Sequence, residues 1–176
     1  MSRLVLNDLY ALGADAFVTR LGFLFEHSPW VVSRAFAMGP FADQDALLAA
    51  TDKVLAAATL DEKLALIRAH PELAGKAAIA GDLTEASRHE QESAGLDRLT
   101  PDEFARLHAL NDAYRQRFEF PFIICVRLND KASILAALKA RLAHDRGVEI
   151  VTALAEISRI ARLRLGEAMR AETWEP

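Results

Sequence analysis

The placement of helix start and stop signals constrains this chain more than any other feature of its sequence. Thr100-Pro101-Asp102-Glu103 combines an N-cap, a first-turn proline and a glutamate placed to reach back to the cap. Thr59 and Glu62 repeat the capping box, Ser28-Pro29 sets an N-cap before a first-turn proline, and Thr84 and Asn129-Asp130 offer further caps. Gly39-Pro40, His70-Pro71, Gly95 and Gly147 supply stops, because Pro disfavours helical geometry in the residue before it and Gly accepts the left-handed turn that ends a helix. The segments between these signals read as helix, over about 13–26, 28–39, 43–58, 59–70, 84–95, 100–118, 129–145 and 148–170. Gly75 and Gly81 mark a loosely structured stretch. Residues 120–128 form the one extended stretch, and Pro121 argues against a central strand there. The expectation is an all-α, single-domain irregular bundle of about eight helices with one short extended segment, covering residues 1–176.

Size and composition agree with that expectation. At 176 residues the chain suits one domain and can bury about 70% of its unfolded surface, so it needs no disulfide or metal staple. Sparse aromatics and abundant Ala and Leu favour helix over sheet. The formal net charge of −4 and the lack of a basic stripe weigh against nucleic acid as a partner; Arg159, Arg162 and Arg164 come nearest to one. The lone cysteine, Cys125, excludes an internal disulfide and reads as a buried small hydrophobe in a reducing compartment. Residues 1–15 do not read as a secretory signal, no run approaches the ~18 apolar residues of a membrane span, and the last residues do not match the peroxisomal tripeptide. The expectation is a cytoplasmic protein without membrane partners. A homodimer is compatible with the chain but not dictated by it, and Trp174 is the exposed apolar residue to test as a contact.

Three places differ from ordinary helix surface. His70 lies at a helix end before Pro71 and could carry a proton near neutral pH, although a histidine there more often binds the last carbonyls of its helix. Ser87, Glu90 and Gln91 share one helical face and offer hydroxyl, carboxylate and amide to a ring rich in N–H and C=O groups; the commoner use of such a face is solvation. Arg164 falls on the stripe of Ile157, Ile160 and Ala161, so its guanidinium needs a partner, most often a protein carboxylate, otherwise a substrate carboxylate. A zinc reading of His89-Glu90 fails because Ser93 stands where the second histidine ligand belongs. With no phosphate loop, nucleophile elbow or CxxC pair, the chain is expected to work without metal or cofactor.

The chain resembles the OHCU decarboxylases, OHCU being 2-oxo-4-hydroxy-4-carboxy-5-ureidoimidazoline. The matching segments are Phe25-Glu26-His27-Ser28-Pro29-Trp30, His70-Pro71-Glu72-Leu73-Ala74, and Ser87-x-x-Glu90-Gln91 with Ala94-Gly95-Leu96. They continue through Leu110-Asn111-x-x-Tyr114, Phe118-x-Phe120-Pro121-Phe122-Ile123, and Glu156-Ile157 with Leu163-Arg164-Leu165. Each is weak alone, but order and spacing are kept from about residue 15 to 168. The resemblance implies a cofactor-free decarboxylase that yields (S)-allantoin in urate breakdown. It also implies His70 as catalytic residue with Glu90 as its acidic partner. Pro71, Ser87, Gln91, Phe122, Ile124 and Arg164 would be substrate contacts, Phe122 and Ile124 through backbone groups. A helical binding module and a decarboxylase of a related ureide are the alternatives.

Overall fold

Ten α-helices account for most of residues 5–170, which a computed structural model describes, and no strand forms among those residues. They are α1 (Leu6–Ala11), α2 (Ala14–Leu21), α3 (Trp30–Phe36), α4 (Gln44–Ala57), α5 (Leu60–Ala69), α6 (Lys76–Ala80), α7 (Glu85–Ser93), α8 (Pro101–Phe118), α9 (Lys131–Arg141) and α10 (Arg146–Arg170). Short 3-10 turns occupy Gly22–Leu24 and Val126–Leu128. Trp174 lies outside the described residues.

The capping chemistry read from sequence is largely in place. Thr100 Oγ1 accepts from Glu103 N at 3.2 Å, while Thr100 N donates to Glu103 Oε2 at 2.9 Å. Thr59 and Glu62 exchange the same two bonds at the start of α5. Asp43, Thr84 and Asp130 each accept from the backbone N–H three residues on. Gly95, with φ 73°, follows the end of α7 as expected.

Four local readings change. The N-cap of α3 is Pro29, which has no side-chain bond to give, so Ser28 is not the cap. Gly147 lies inside the first turn of α10 rather than breaking the chain, since a helix's first turn can hold Gly at modest cost. Residues 22–24 tighten into a 3-10 turn instead of continuing α2. In the extended stretch, 121–125 are irregular and 126–128 turn into 3-10 geometry.

The chain divides into two compact units, residues 5–66 with 158–170, and residues 67–157. In the first unit α1 packs on α2, α2 on α3, and α3 on α4. The Tyr10 ring stacks on Phe36 at 4.4 Å between centroids and meets Phe17 and Phe41 edge-on. Gly39 permits this packing, because a side-chain carbon there would run into the Tyr10 ring. Leu9, Leu21 and Leu47 are fully buried in the same unit. From the last part of α10, Ser158 Oγ donates to Asp52 at 2.8 Å and Arg162 pairs with Asp45 at 2.6 Å.

In the second unit α9 packs on α8, and α7 packs on the Val126–Leu128 turn. Its core contains rings, with Tyr114 against Phe118, Phe120 and Phe122, and also buried charge. Glu149, fully buried, accepts from Tyr114 Oη, from Arg141 Nε and Nη2, and from His144 Nδ1.

Candidate active site

His70 is the residue after α5, where Pro71 ends the helix as the sequence predicted. The residue is buried, 6% exposed. The loop that follows is bound by side chains. Gln91 Oε1 accepts from Ala74 N at 2.9 Å, Asn111 Nδ2 donates to Leu73 O at 3.1 Å, and His108 Nε2 lies 2.9 Å from Ala74 O. Ala74 holds φ 49°, in the left-handed region that costs a non-glycine residue roughly 1–2 kcal/mol, and these bonds offset that cost. Gly75 follows because a side-chain carbon there would sit 2.9 Å from Glu72 Cβ.

Ser87, Glu90 and Gln91 form the inward face of α7, exposed by only 4%, 8% and 6%. A polar face that spacing alone would assign to solvent is thus buried, as a helix with a ligand or a fixed polar partner requires. The bond to Ala74 N–H also fixes Gln91, since only its oxygen can accept there.

The third part is the run 121–125. Arg141 Nη1 donates to Ile123 O at 2.8 Å, and Glu156 Oε2 accepts from Cys125 N at 2.8 Å. The Arg141 guanidinium also lies over the Phe122 ring, 4.4 Å from its centroid. The polar side chains therefore take Ile123 and Cys125, the residues that alternate with Phe122 and Ile124. Burial pushes the Cys125 thiol up, and the carboxylates of Glu156 and Glu90 push it further. Such a thiol is a poor nucleophile, which agrees with its reading as a buried hydrophobe. On α7, which packs on the Val126–Leu128 turn, Gln91 holds the loop after His70.

Glu149 holds the Arg141 guanidinium that in turn binds Ile123 O. Burial raises its carboxyl, but hydrogen bonds from Arg141 and Tyr114, and the Arg141 charge, outweigh burial and leave it below the ordinary carboxylate range. The Tyr114 hydroxyl is pushed well above its ordinary range by burial, then by its bond to Glu149.

Arg164 belongs to the first unit, whereas the other candidates belong to the second. It is buried, and its Nη1 donates to Glu26 Oε2 at 3.1 Å and to Phe23 O at 2.9 Å. The protein carboxylate expected for a core-facing guanidinium is therefore Glu26, and Arg162 is on the exposed side. Sequence reasoning gave no role to Glu26, His108, Asn111, Arg141, Glu149 or Glu156. Glu26, Asn111 and Glu156 lie within the matched segments, which was the one available signal; no spacing links Arg141 to Glu149 across the break between α9 and α10.

Among the described residues no group of three or more His, Cys, Asp or Glu is arranged to hold a metal ion, and no helix is long and apolar enough to cross a membrane. A cleft of about 310 Å³ in the second unit touches Ala74 and Gln91, but its other walls, including Ile79, Leu83, Leu96 and Phe104, are mostly apolar.

An all-helical protein with imidazole, carboxylate, hydroxyl and amide buried in one unit has the makings of an enzyme for a small polar molecule. The chain matches the OHCU decarboxylase family over residues 10–166. It is 38% identical to 2-oxo-4-hydroxy-4-carboxy-5-ureidoimidazoline decarboxylase of Haloferax volcanii, covering 98% of this chain and 100% of that one. It is 40% identical to the protein of the same name from Halalkalicoccus jeotgali, over 95% and 93% of the two chains. It also resembles the crystal structure of (S)-allantoin synthase at TM-score 0.73 and 29% identity, over 94% of this chain and 53% of that one. The chain belongs to the OHCU decarboxylase family.

Proposed function

We propose that this chain decarboxylates 2-oxo-4-hydroxy-4-carboxy-5-ureidoimidazoline to (S)-allantoin and CO2 in urate breakdown, using its own side chains and no cofactor. The observation that carries the reading is the burial of His70 together with the Ser87, Glu90 and Gln91 face in a chain of this family.

The substrate's name sets the chemistry. One ring carbon bears both hydroxyl and carboxylate, and its neighbour bears the ureido group and belongs to a C=N bond. When CO2 leaves, the bonding pair moves between the two ring carbons and the C=N pair passes to nitrogen, which takes a proton. The resulting enol becomes the product carbonyl by losing its hydroxyl proton, while the ureido-bearing carbon gains a proton on one face. The substrate is thus its own electron sink, and the protein has to place protons and hold geometry.

His70 is assigned the proton transfer, with Glu90 orienting it; such a group contributes typically about 10²–10⁴-fold. Gln91, its oxygen held by Ala74, offers its amide N–H to a ring carbonyl, and Ser87 adds a hydroxyl one turn away. Pro71 and the backbone of Phe122 and Ile124 are assigned to the ring, and Arg164 to an anionic group, each on the strength of the resemblance. The lone cysteine suits a cytoplasmic enzyme acting alone or as a homodimer, and residues 1–176 are read as one functional domain.

Freshly generated substrate, followed by optical rotation, tests the reading. The protein should give optically active allantoin faster than spontaneous decay, which gives racemate. His70→Ala should remove the acceleration while helix content stays native. A racemic product from the wild-type protein ends the proposal, and full activity in the variant removes His70 from it.

A further inference from the structure

We infer that α8 is a template for the loop after His70, and that His108, Asn111 and Arg115 are positioning residues for that histidine. The inference rests on the reading of His70 as the proton-transfer group. Residues 108, 111 and 115 follow the i, i+3, i+7 rule and so form one stripe along α8. Their side chains meet three consecutive loop residues in reverse order. His108 Nε2 meets Ala74 O at 2.9 Å, Asn111 Nδ2 donates to Leu73 O at 3.1 Å, and Arg115 Nη1 donates to Glu72 Oε1 at 3.0 Å. At the α5 end of the loop, Arg68 Nε donates to Glu119 O just past the end of α8 at 3.1 Å. The loop that begins at His70 is therefore tied along its length to one rigid element.

Two features separate a positioning role from simple support. Asn111 is buried and its Oδ1 has no hydrogen-bond partner among the described residues, a placement that lowers stability. A residue present only to fill the core would be apolar there; asparagine is explained by the bond to Leu73. His108 in turn must carry its proton on Nε2, because a carbonyl can only accept, and its ring is held against Phe104 at 4.0 Å between centroids. Ala74, in the left-handed region, is held at N by Gln91 and at O by His108, which connects the loop's shape to a proposed substrate contact.

The test uses substitutions that separate shape from bonding. His108→Phe keeps a ring against Phe104 but removes the donor, and His108→Gln returns an N–H close to the position of Nε2. In His108→Phe, kcat should fall about tenfold to a hundredfold per folded molecule with KM little changed, since misplacing a reacting group acts on the chemical step. His108→Gln should recover most of that loss. Arg115→Met, at a half-exposed position, should lower kcat about two- to fivefold and keeps the idea testable if His108→Phe fails to fold. Unchanged kcat per folded molecule in both His108→Phe and Arg115→Met, or no recovery in His108→Gln, overturns the template. A wild-type protein that leaves the substrate to spontaneous decay overturns the activity reading, and this inference with it.

Discussion

The two units solve the problem of burial differently. The first fills its interior mainly with rings and aliphatic chains, with Tyr10, Phe17, Phe36 and Phe41 in mutual contact and Leu9, Leu21 and Leu47 fully buried, and it also buries the Arg164–Glu26 pair. The second buries His70, Ser87, Glu90, Gln91, Asn111, Arg141, Glu149 and Glu156. Nondirectional apolar packing is enough where helices only have to meet. It cannot hold an irregular loop such as 71–75 or a run such as 121–125, whose backbone groups must be satisfied one by one. The second unit therefore spends polar side chains on backbone atoms, with Gln91, His108 and Asn111 on the loop, and Arg141 and Glu156 on the run. Unpaired buried charge is expensive, so that design is less forgiving of substitution.

Arg141→Ala should show this most strongly. It leaves the fully buried Glu149 without its main partner, at a cost of about 3–5 kcal/mol in urea unfolding. The double variant Arg141→Met with Glu149→Leu should regain much of that loss, because it removes both charges. If the double variant is no better than the single one, the unpaired charge on Glu149 is not the source of the loss.

The first unit should respond to volume instead. Leu21→Ala should cost about 2–5 kcal/mol and Leu21→Met less than about 1.5 kcal/mol, in the same assay. Equal losses for the two would contradict a core governed by packing.

Acid should separate the regions next. Glu149 has a folded-state pKa below its unfolded value, so its contribution is complete above the ordinary carboxylate range and is lost as pH falls through the depressed value. Hydrogen exchange on acidification should therefore quicken in α9 and the start of α10, which Glu149 holds to Tyr114 and Arg141. α2 and α3 contribute Phe17 and Phe36 to the ring cluster with Tyr10 and Phe41, and should keep more of their protection. Simultaneous loss in all four helices would remove Glu149 as the cause.

The smallest effects should be the same in both regions. Thr59→Ala and Thr100→Ala each remove one half of a capping box and should each cost about 1 kcal/mol. Similar values would place the difference between the units in their cores and not in their helix starts.

Much of the fold was legible because its signals are local. Caps at Thr59, Thr84, Thr100 and Asp130 depend on a side chain and an amide three residues away. Short elements were harder to read: α1 and α6 are held by their surroundings, and a helix of five or six residues has little stability of its own. Of the site, spacing identified the Ser87, Glu90 and Gln91 face, but not that it would be buried. Placing Arg164 in line with core residues correctly implied a partner, but not that Glu26, 138 residues away in the chain, would provide it.

The sequence alone determined where most of the longer helices begin, that no central strand would form beside Pro121, and which ordered motifs tie the chain to its family, because each of these is written in neighbouring residues. Tertiary structure decided which polar groups leave water and what they hold there. Arg141 on Ile123, Glu156 on Cys125 and the stripe of α8 on the loop after His70 join residues far apart in the chain, and only packing brings such groups within hydrogen-bond reach.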